Sequence, residues 1–292
     1  MLNRITSFIV KRKGKQMRPM FVLLTAKLAG GITESTYRAA SLVELLHTAT
    51  LVHDDVVDES MERRGFFSTY ALWKTKVSVL IGDYLLAKGL LLSLDNNDFR
   101  ILQLLSEAVR RMSEGELLQI EKSRTLNLDE SIYFEIISNK TASLLASACA
   151  AGAYSASCDE EKAEQLRLFG EKVGIAFQIK DDLFDYGSEA VGKPTGNDIK
   201  EKKLTLPLIY TLNQADKNTR RQIIHIIRNE NRNPAKVKEV IQTVTRSGGI
   251  RYATEKMLQF RDEALSILHQ FPESPSRTAL EELVRYTTDR KY

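Results

Sequence analysis

The sequence predicts an all-α fold, one large helical bundle spanning residues 1–292 as a single domain. Three observations carry this. No proline occurs between Pro19 and Pro194, glycine is thin over the same stretch, and Leu, Ala, Glu, Lys and Arg dominate it, which is the composition of consecutive helices. Apolar residues recur at three- and four-residue steps rather than at every second position. No alternating strand pattern, internal repeat or low-complexity segment persists anywhere in the chain.

Taken in order, SLVELLHTATLVHD sets Leu42, Leu45, Leu46, Ala49 and Val52 on one helical face, and LQLLSEAVRRMSEGELLQI does the same with Leu102, Leu105, Val109, Met112 and Leu117. Breaks are expected at Gly30-Gly31, around Gly65, at Asp95 to Asp98, near Asn127 and at Cys158 to Glu160. Tyr186 to Pro207 is rich in Gly, Pro, Lys and Asp and is expected to be a functional loop. Helices follow, with breaks near Pro234, Gly248-Gly249 and Pro272 to Pro275. No linker long enough to separate two domains is visible, so one bundle is the simplest arrangement.

Composition excludes several classes. With 43% hydrophobic residues the chain can bury a substantial core, and 27% charged residues give an ordinary soluble surface. A net charge of +4 is too mild for a nucleic-acid binder, which would also need a basic helix face. The two cysteines, Cys149 and Cys158, form no ligand framework and are expected to be buried or half-buried thiols, as suits a reducing cytosol. MLNRITSFIVKRKGK is too short and polar for a signal peptide. VSVLIGDYLLAKGLLLSL is interrupted by Asp83 and Lys88, so no uninterrupted apolar run reaches the roughly 18–20 residues that span a bilayer. A cytoplasmic location is expected.

The chemistry concentrates in two carboxylate clusters. Asp54, Asp55 and Asp58 lie in LVHDDVVDES, and Asp181, Asp182 and Asp185 in FQIKDDLFDYG. Both have the form DDxxD and both follow an apolar helical run. Residues four apart on a helix share a face at about 6 Å, so the outer pair of each cluster points one way. The second aspartate sits about 100° round the axis and can serve as an outer ligand or an orienter. Three carboxylates in five residues repel one another and need neutralising. Hard oxygen ligands suit Mg²⁺, which takes one or two carboxylates and completes its shell with water and phosphate. Cations lie near both clusters: Lys15 and Arg18 in KRKGKQMRP, Arg63 and Arg64 in MERRG, Lys140 in NKTAS, Lys193 in VGKPTGND and Lys203 in KEKKLTLP. Arginine binds phosphate through two parallel N–H groups and lysine acts as a point charge.

With these motifs the whole chain resembles the trans-prenyl diphosphate synthases, most closely the long-chain octaprenyl and solanesyl enzymes, whose phrase HTATLVHDDVVDES is similar. The resemblance implies the isoprenoid-synthase bundle around a central active-site cavity, a homodimer, and Mg²⁺ at about three ions per active site. It implies metal binding by Asp54, Asp55, Asp58, Asp181 and Asp185, with Asp182, Lys140 and Lys203 completing the catalytic set. Isopentenyl diphosphate would meet Lys15, Arg18, His47 and Arg64. The allylic diphosphate would meet Arg63, Lys140, Thr141, Gln178, Lys193 and Lys203. Family members often have glycine and arginine where this chain has Lys13 and Gln16, and a glycine where it has Lys202.

The implied reaction is ionisation of the allylic diphosphate, attack by isopentenyl diphosphate and loss of a proton, giving a medium- or long-chain polyprenyl diphosphate. The lipid product could bring the enzyme to a membrane surface. Small residues at Ala49 and Thr50, one turn before the first cluster, leave room for a long tail, with Met112, Leu117 or Ile120 as the floor; a farnesyl or geranylgeranyl synthase is the alternative. A class I terpene cyclase would carry a different second metal motif, and a non-catalytic helical subunit would lack one aspartate cluster. His53 is expected to orient a carboxylate or pack in its helix, His225 and His269 to be structural or exposed, and Trp73 to lie in the core.

Overall fold

A computed structural model of the chain describes residues 1–11, 14–63, 65–126, 129–187 and 195–290. Helices dominate it. They run α1 (Leu2–Lys11), α2 (Met17–Ala29), α3 (Glu34–Val57), α4 (Thr69–Leu94), α5 (Phe99–Thr125), α6 (Glu130–Ile137), α7 (Ser143–Ser157), α8 (Glu160–Phe184), α9 (Asn197–Lys200), α10 (Leu206–Gln214), α11 (Lys217–Asn229), α12 (Pro234–Arg246), α13 (Gly249–Leu268) and α14 (Pro275–Asp289). Among the described residues the only strands are β1 (Glu62–Arg63) and β2 (Phe66–Phe67), a two-residue antiparallel pair turned at Gly65. The all-helical expectation holds.

The caps explain most boundaries. Thr33 and Thr36 form a reciprocal capping box at the start of α3. Ser68, Asp129, Asp216, Asn233 and Ser274 each accept a backbone N–H at the start of α4, α6, α11, α12 and α14, and proline opens the last two at the position where a missing N–H is harmless. Breaks expected at Gly30-Gly31, Asp95 to Asp98, Cys158, Pro234, Gly248-Gly249 and Pro272 to Pro275 are found. The one near Asn127 falls outside the described residues. The stretch from Tyr186 is a loop only in part, because α9 forms inside it and Pro207 belongs to the first turn of α10.

The chain divides into two compact units: residues 1–109 with 147–167, and residues 110–146 with the remainder from 168. In the first, α4 lies along α3 with Ser78, Ile81, Gly82, Leu85, Gly89 and Ser93 turned inward. Gly82 and Gly89 permit the close approach, since a Cβ at Gly82 would stand 2.1 Å from His53 Nε2 and one at Gly89 2.8 Å from Leu42. The core here is Val22, Ala39, Leu42, Val43, Leu46, Ile101 and Leu105, with a second cluster of Ile5, Ala49, Val52, Ile81 and Leu85. In the second unit the core runs through Tyr133, Ile137, Ile175, Ile179, Leu206, Leu208, Ile226, Val240 and Met257.

Four expectations need correcting. By length and composition α4 could cross a membrane, because its polar Asp83 and Lys88 are too few to disqualify it. Cys158 is exposed, whereas Cys149 is buried and its thiol is pushed well up by desolvation. Leu117 and Ile120 lie exposed, at 67% and 37%, so neither closes a floor. Trp73 is half-buried at the core edge, where its ring meets Phe8 edge-on at 4.9 Å.

Candidate active site

Each aspartate cluster sits at the C-terminal end of a long helix. The macrodipole places negative charge there, so the carboxylates add to an already negative pole and cations are the natural ligands. The fifth residue of each cluster has left the regular helix. Asp58 is the C-cap of α3, its N–H bonded to the Asp54 carbonyl at 2.8 Å. Asp185 follows the end of α8 and bonds back to Asp182 at 3.2 Å in a tighter turn. The four-residue facing therefore survives in the first cluster and is loosened in the second.

In the first unit, Asp54 is half-buried and Asp58 exposed. Asp55 is buried, and its Oδ1 accepts from Arg63 Nε at 2.5 Å. Burial pushes the Asp55 carboxyl above its usual range against the pull of Arg63. The hairpin holds Arg63 over it, so two residues assigned to different ligands are in direct contact. His47 and Arg18 also meet, Arg18 Nη1 lying 2.9 Å from His47 Nε2. A guanidinium only donates, so that ring nitrogen accepts and the imidazole proton rests on Nδ1. Lys15 lies exposed just ahead of α2. Arg64 lies outside the described residues.

A cavity of about 730 Å³ opens in this unit. Its wall combines His47, Asp55, Arg63 and Gln16 with Phe8, Ile9, Leu45, Leu51, Phe66 and Phe67. Ala49 is fully buried among Ile5, Val52, Ile81 and Leu85, and Thr50 is half-buried with its hydroxyl donating to the His47 carbonyl at 2.9 Å. His53 packs over Gly82, 3.4 Å from Asp83 of α4. His225 and His269 are exposed, as expected.

In the second unit the middle aspartate is again the locked one. Asp182 is buried, accepting from Tyr133 Oη at 2.7 Å and Gln178 Nε2 at 2.9 Å. The Gln178 carbonyl accepts from Thr141 Oγ1 at 2.8 Å, so Thr141, Gln178 and Asp182 form one chain of bonds. Burial raises the Asp182 carboxyl to about 6, opposed by its two donors. Asp181 is more open, and its Oδ1 accepts from Arg290 at 2.5 Å. That guanidinium lies 4.2 Å from the Phe177 ring centroid. Asp185 accepts the backbone N–H groups of Asn197 and Asp198 at 2.8 and 3.1 Å, which anchors α9. Burial first, and those donors against it, leave the Asp185 carboxyl raised. Asp198 is raised further, to about 7, by burial and by Asp182 and Asp185.

Lys203 lies 2.5 Å from Glu201, and its charge favours ionisation of Asp182 and Asp198. Lys140 pairs with Glu116 and donates to Gln119 at 3.2 Å. Lys193 lies outside the described residues. Sequence reasoning missed Tyr133, Arg290, Asp198, Glu116 and Gln119. Asp198 and Glu116 stand in motif-like phrases, TGND and SEGE, that could have flagged them; the others become visible only once the chain is folded.

Among the described residues no three His, Cys, Asp or Glu side chains converge into a ready-made ion cage. This donor set fits Mg²⁺, which binds through one or two carboxylates and keeps water and substrate phosphate for the rest. Asp58 and Asp181 are exposed and Asp54 is half-buried; Arg63 holds Asp55, Tyr133 and Gln178 hold Asp182, and Arg290 pairs with Asp181.

An all-helical chain with an aspartate cluster closing each of two long helices has the isoprenoid-synthase fold. The sequence model of the Polyprenyl synthetase family matches residues 1–244, and the chain belongs to that family. It is 32% identical to an octaprenyl diphosphate synthase of Escherichia coli K12, covering 99% of this chain and 90% of the relative. A decaprenyl diphosphate synthase structure from Rhodobacter capsulatus superposes with a TM-score of 0.94 at 35% identity, over 100% of this chain and 90% of the other. A polyprenyl synthase from Caulobacter crescentus CB15, complexed with calcium and isoprenyl diphosphate, gives 0.89 at 37% identity, over 96% and 86%.

Proposed function

We propose that this chain is a Mg²⁺-dependent trans-prenyltransferase that condenses isopentenyl diphosphate head-to-tail with an allylic diphosphate, releasing diphosphate and making a medium- or long-chain polyprenyl diphosphate. The observation that carries the reading is the pair of aspartate clusters at helix C-termini, each with its middle acid buried and locked by protein donors. Bound Mg²⁺, about three ions per site, would neutralise charge on the leaving diphosphate. Asp54, Asp55, Asp58, Asp181 and Asp185 would hold those ions, with Arg63 orienting Asp55 and with Tyr133 and Gln178 fixing Asp182. Asp185 ties the second cluster to α9.

Isopentenyl diphosphate has an anionic head and a small hydrocarbon body. The Arg18–His47 pair, with Lys15 and Arg64, meets the head; the adjoining cavity, polar on one part of its wall and apolar on the rest, suits such a molecule. Lys140, Lys193 and Lys203 meet the allylic diphosphate together with Arg63, Thr141 and Gln178. Positioning and preorganised charge supply most of the rate. The double bond of isopentenyl diphosphate attacks the allylic cation, and the proton leaves to the bound diphosphate. Small Ala49 and Thr50, and the octaprenyl and decaprenyl relatives, support a product beyond four isoprene units. The whole chain acts as one synthase domain, as a homodimer in the cytoplasm, touching a membrane surface when product leaves.

The test is an assay with labelled isopentenyl diphosphate, an allylic primer and Mg²⁺. Asp54→Ala and Asp181→Ala are each expected to cut turnover on the order of 10²–10³-fold. Near-normal turnover in both would end the assignment. The length of the labelled product separates the long-chain reading from a farnesyl or geranylgeranyl synthase.

A further inference from the structure

The chain between α6 and α7 does not continue as an ordinary helix. Ser138–Ala142 forms a single π-helical turn, and it carries Asn139, Lys140 and Thr141. Such turns widen a helix and redirect its side chains. One stripe of α5 is fitted to this turn. Arg111 donates to Asn139 Oδ1 at 3.0 Å and to Ser138 Oγ at 3.2 Å. One turn on, Gly115 brings the two backbones together: a Cβ there would stand 2.8 Å from the Lys140 backbone nitrogen and 2.9 Å from the Asn139 side chain. Next to it Glu116 forms an ion pair with Lys140, and one further turn along Gln119 accepts from the same ammonium at 3.2 Å.

An ammonium has three donors. Here two of them go to acceptors on α5, neither partner being more than one-third exposed in the ion pair. A free lysine carries a flexible four-carbon stem with substantial rotamer entropy. Held at two points, the Lys140 stem is confined and its remaining N–H has a defined direction. We propose that Glu116 is a positioning residue: it orders the Lys140 ammonium on the π turn, with Gln119 as the second tether, so that the allylic diphosphate meets a pre-aimed donor. This rests on the reading of Lys140 as an allylic-diphosphate ligand.

The experiment measures KM for each substrate and kcat in Glu116→Ala, Glu116→Gln, Lys140→Ala and the double variant Lys140→Ala/Glu116→Ala, with thermal unfolding of each. Glu116→Ala should raise KM for the allylic diphosphate about five- to thirtyfold, the span one or two kcal/mol represents, and leave KM for isopentenyl diphosphate unchanged. Glu116→Gln keeps an oxygen acceptor and should recover most of that loss. In the Lys140→Ala background Glu116→Ala should add nothing. An equal effect of Glu116→Ala in both backgrounds, or a parallel loss for both substrates tracking a lowered unfolding temperature, overturns the proposal and leaves the ligand role of Lys140 intact. A Lys140→Ala enzyme with unchanged KM for the allylic diphosphate would remove the ligand role, and the proposal with it.

Discussion

Ala49 shows how much a single position can decide. It is fully buried against Ile5, Ile81 and Leu85, so any larger side chain must take space now held by its neighbours. Ala49→Phe is expected to lower stability by about 1–3 kcal/mol through overpacking and to shorten the prenyl product, read by thin-layer separation of the labelled chains. A folded variant with unchanged product length would detach Ala49 from chain-length control. The same scale explains which parts of the site were visible in advance. The six aspartates stand out because acids spaced DDxxD after an apolar run have few other uses. Which acid of each cluster is locked could not be read, because the partners of Asp182 come from Tyr133 of another helix and from a glutamine within its own, and Asp181 meets Arg290, 109 positions away. Spacing reports which residues share a helix face; it is silent on what the opposite helix brings.

At the scale of elements, boundaries were legible wherever a residue with special backbone chemistry marks them. Gly30-Gly31, Asn233-Pro234 and Ser274-Pro275 stop or start helices for local reasons. The π turn at Ser138–Ala142 was not legible, since SNKTA is unremarkable as helix; its setting depends on Gly115 of α5 and on Gly174 of α8, where a Cβ would stand 2.5 Å from Ala142 Cα. The turn after α9 gives the opposite case. Lys202 has φ 59°, in the left-handed region that favours glycine. Its N–H bond to the Ile199 carbonyl at 3.0 Å and its Nζ bond to the Arg228 carbonyl at 3.0 Å hold it there. Lys202→Gly relieves about 1 kcal/mol or more of steric cost and returns part of it as unfolded-chain entropy. A net gain of about 0.5 kcal/mol is expected in urea unfolding; a loss of stability would mean the Arg228 contact outweighs the strain. Gly196 shows the reverse demand: φ 77° and a Cβ only 2.3 Å from Val237 leave no alternative to glycine.

For the molecule as a whole, α4 presents Leu72, Val79, Leu80, Leu90 and Leu91 on its outer side. An apolar face of this kind is the material of a subunit interface. If the proposed homodimer forms through it, Leu80→Glu yields monomer in sedimentation analysis at concentrations where the native chain is dimeric; an unchanged dimer places the interface elsewhere. The raised acids give a second whole-molecule property. Asp182 and Asp198 ionise near 6 and 7 in the fold and near the ordinary carboxylate value when unfolded. Between those values the native state holds more protons than the unfolded state, so the stability of the metal-free protein falls as pH rises from about 4 to about 7 and levels off above. Chemical unfolding across that range checks the sign: a stability that climbed over the interval would contradict these shifts.

The edge-on meeting of Phe8 and Trp73 has a practical side. Trp73 is the chain's sole tryptophan, and Phe8 is part of the cavity wall. Intrinsic emission therefore comes from one indole whose surroundings include α1 and, one residue removed, the cavity. Ligand entry that shifts α1 will alter the colour or yield of that emission, so fluorescence titration can follow occupancy without any added label.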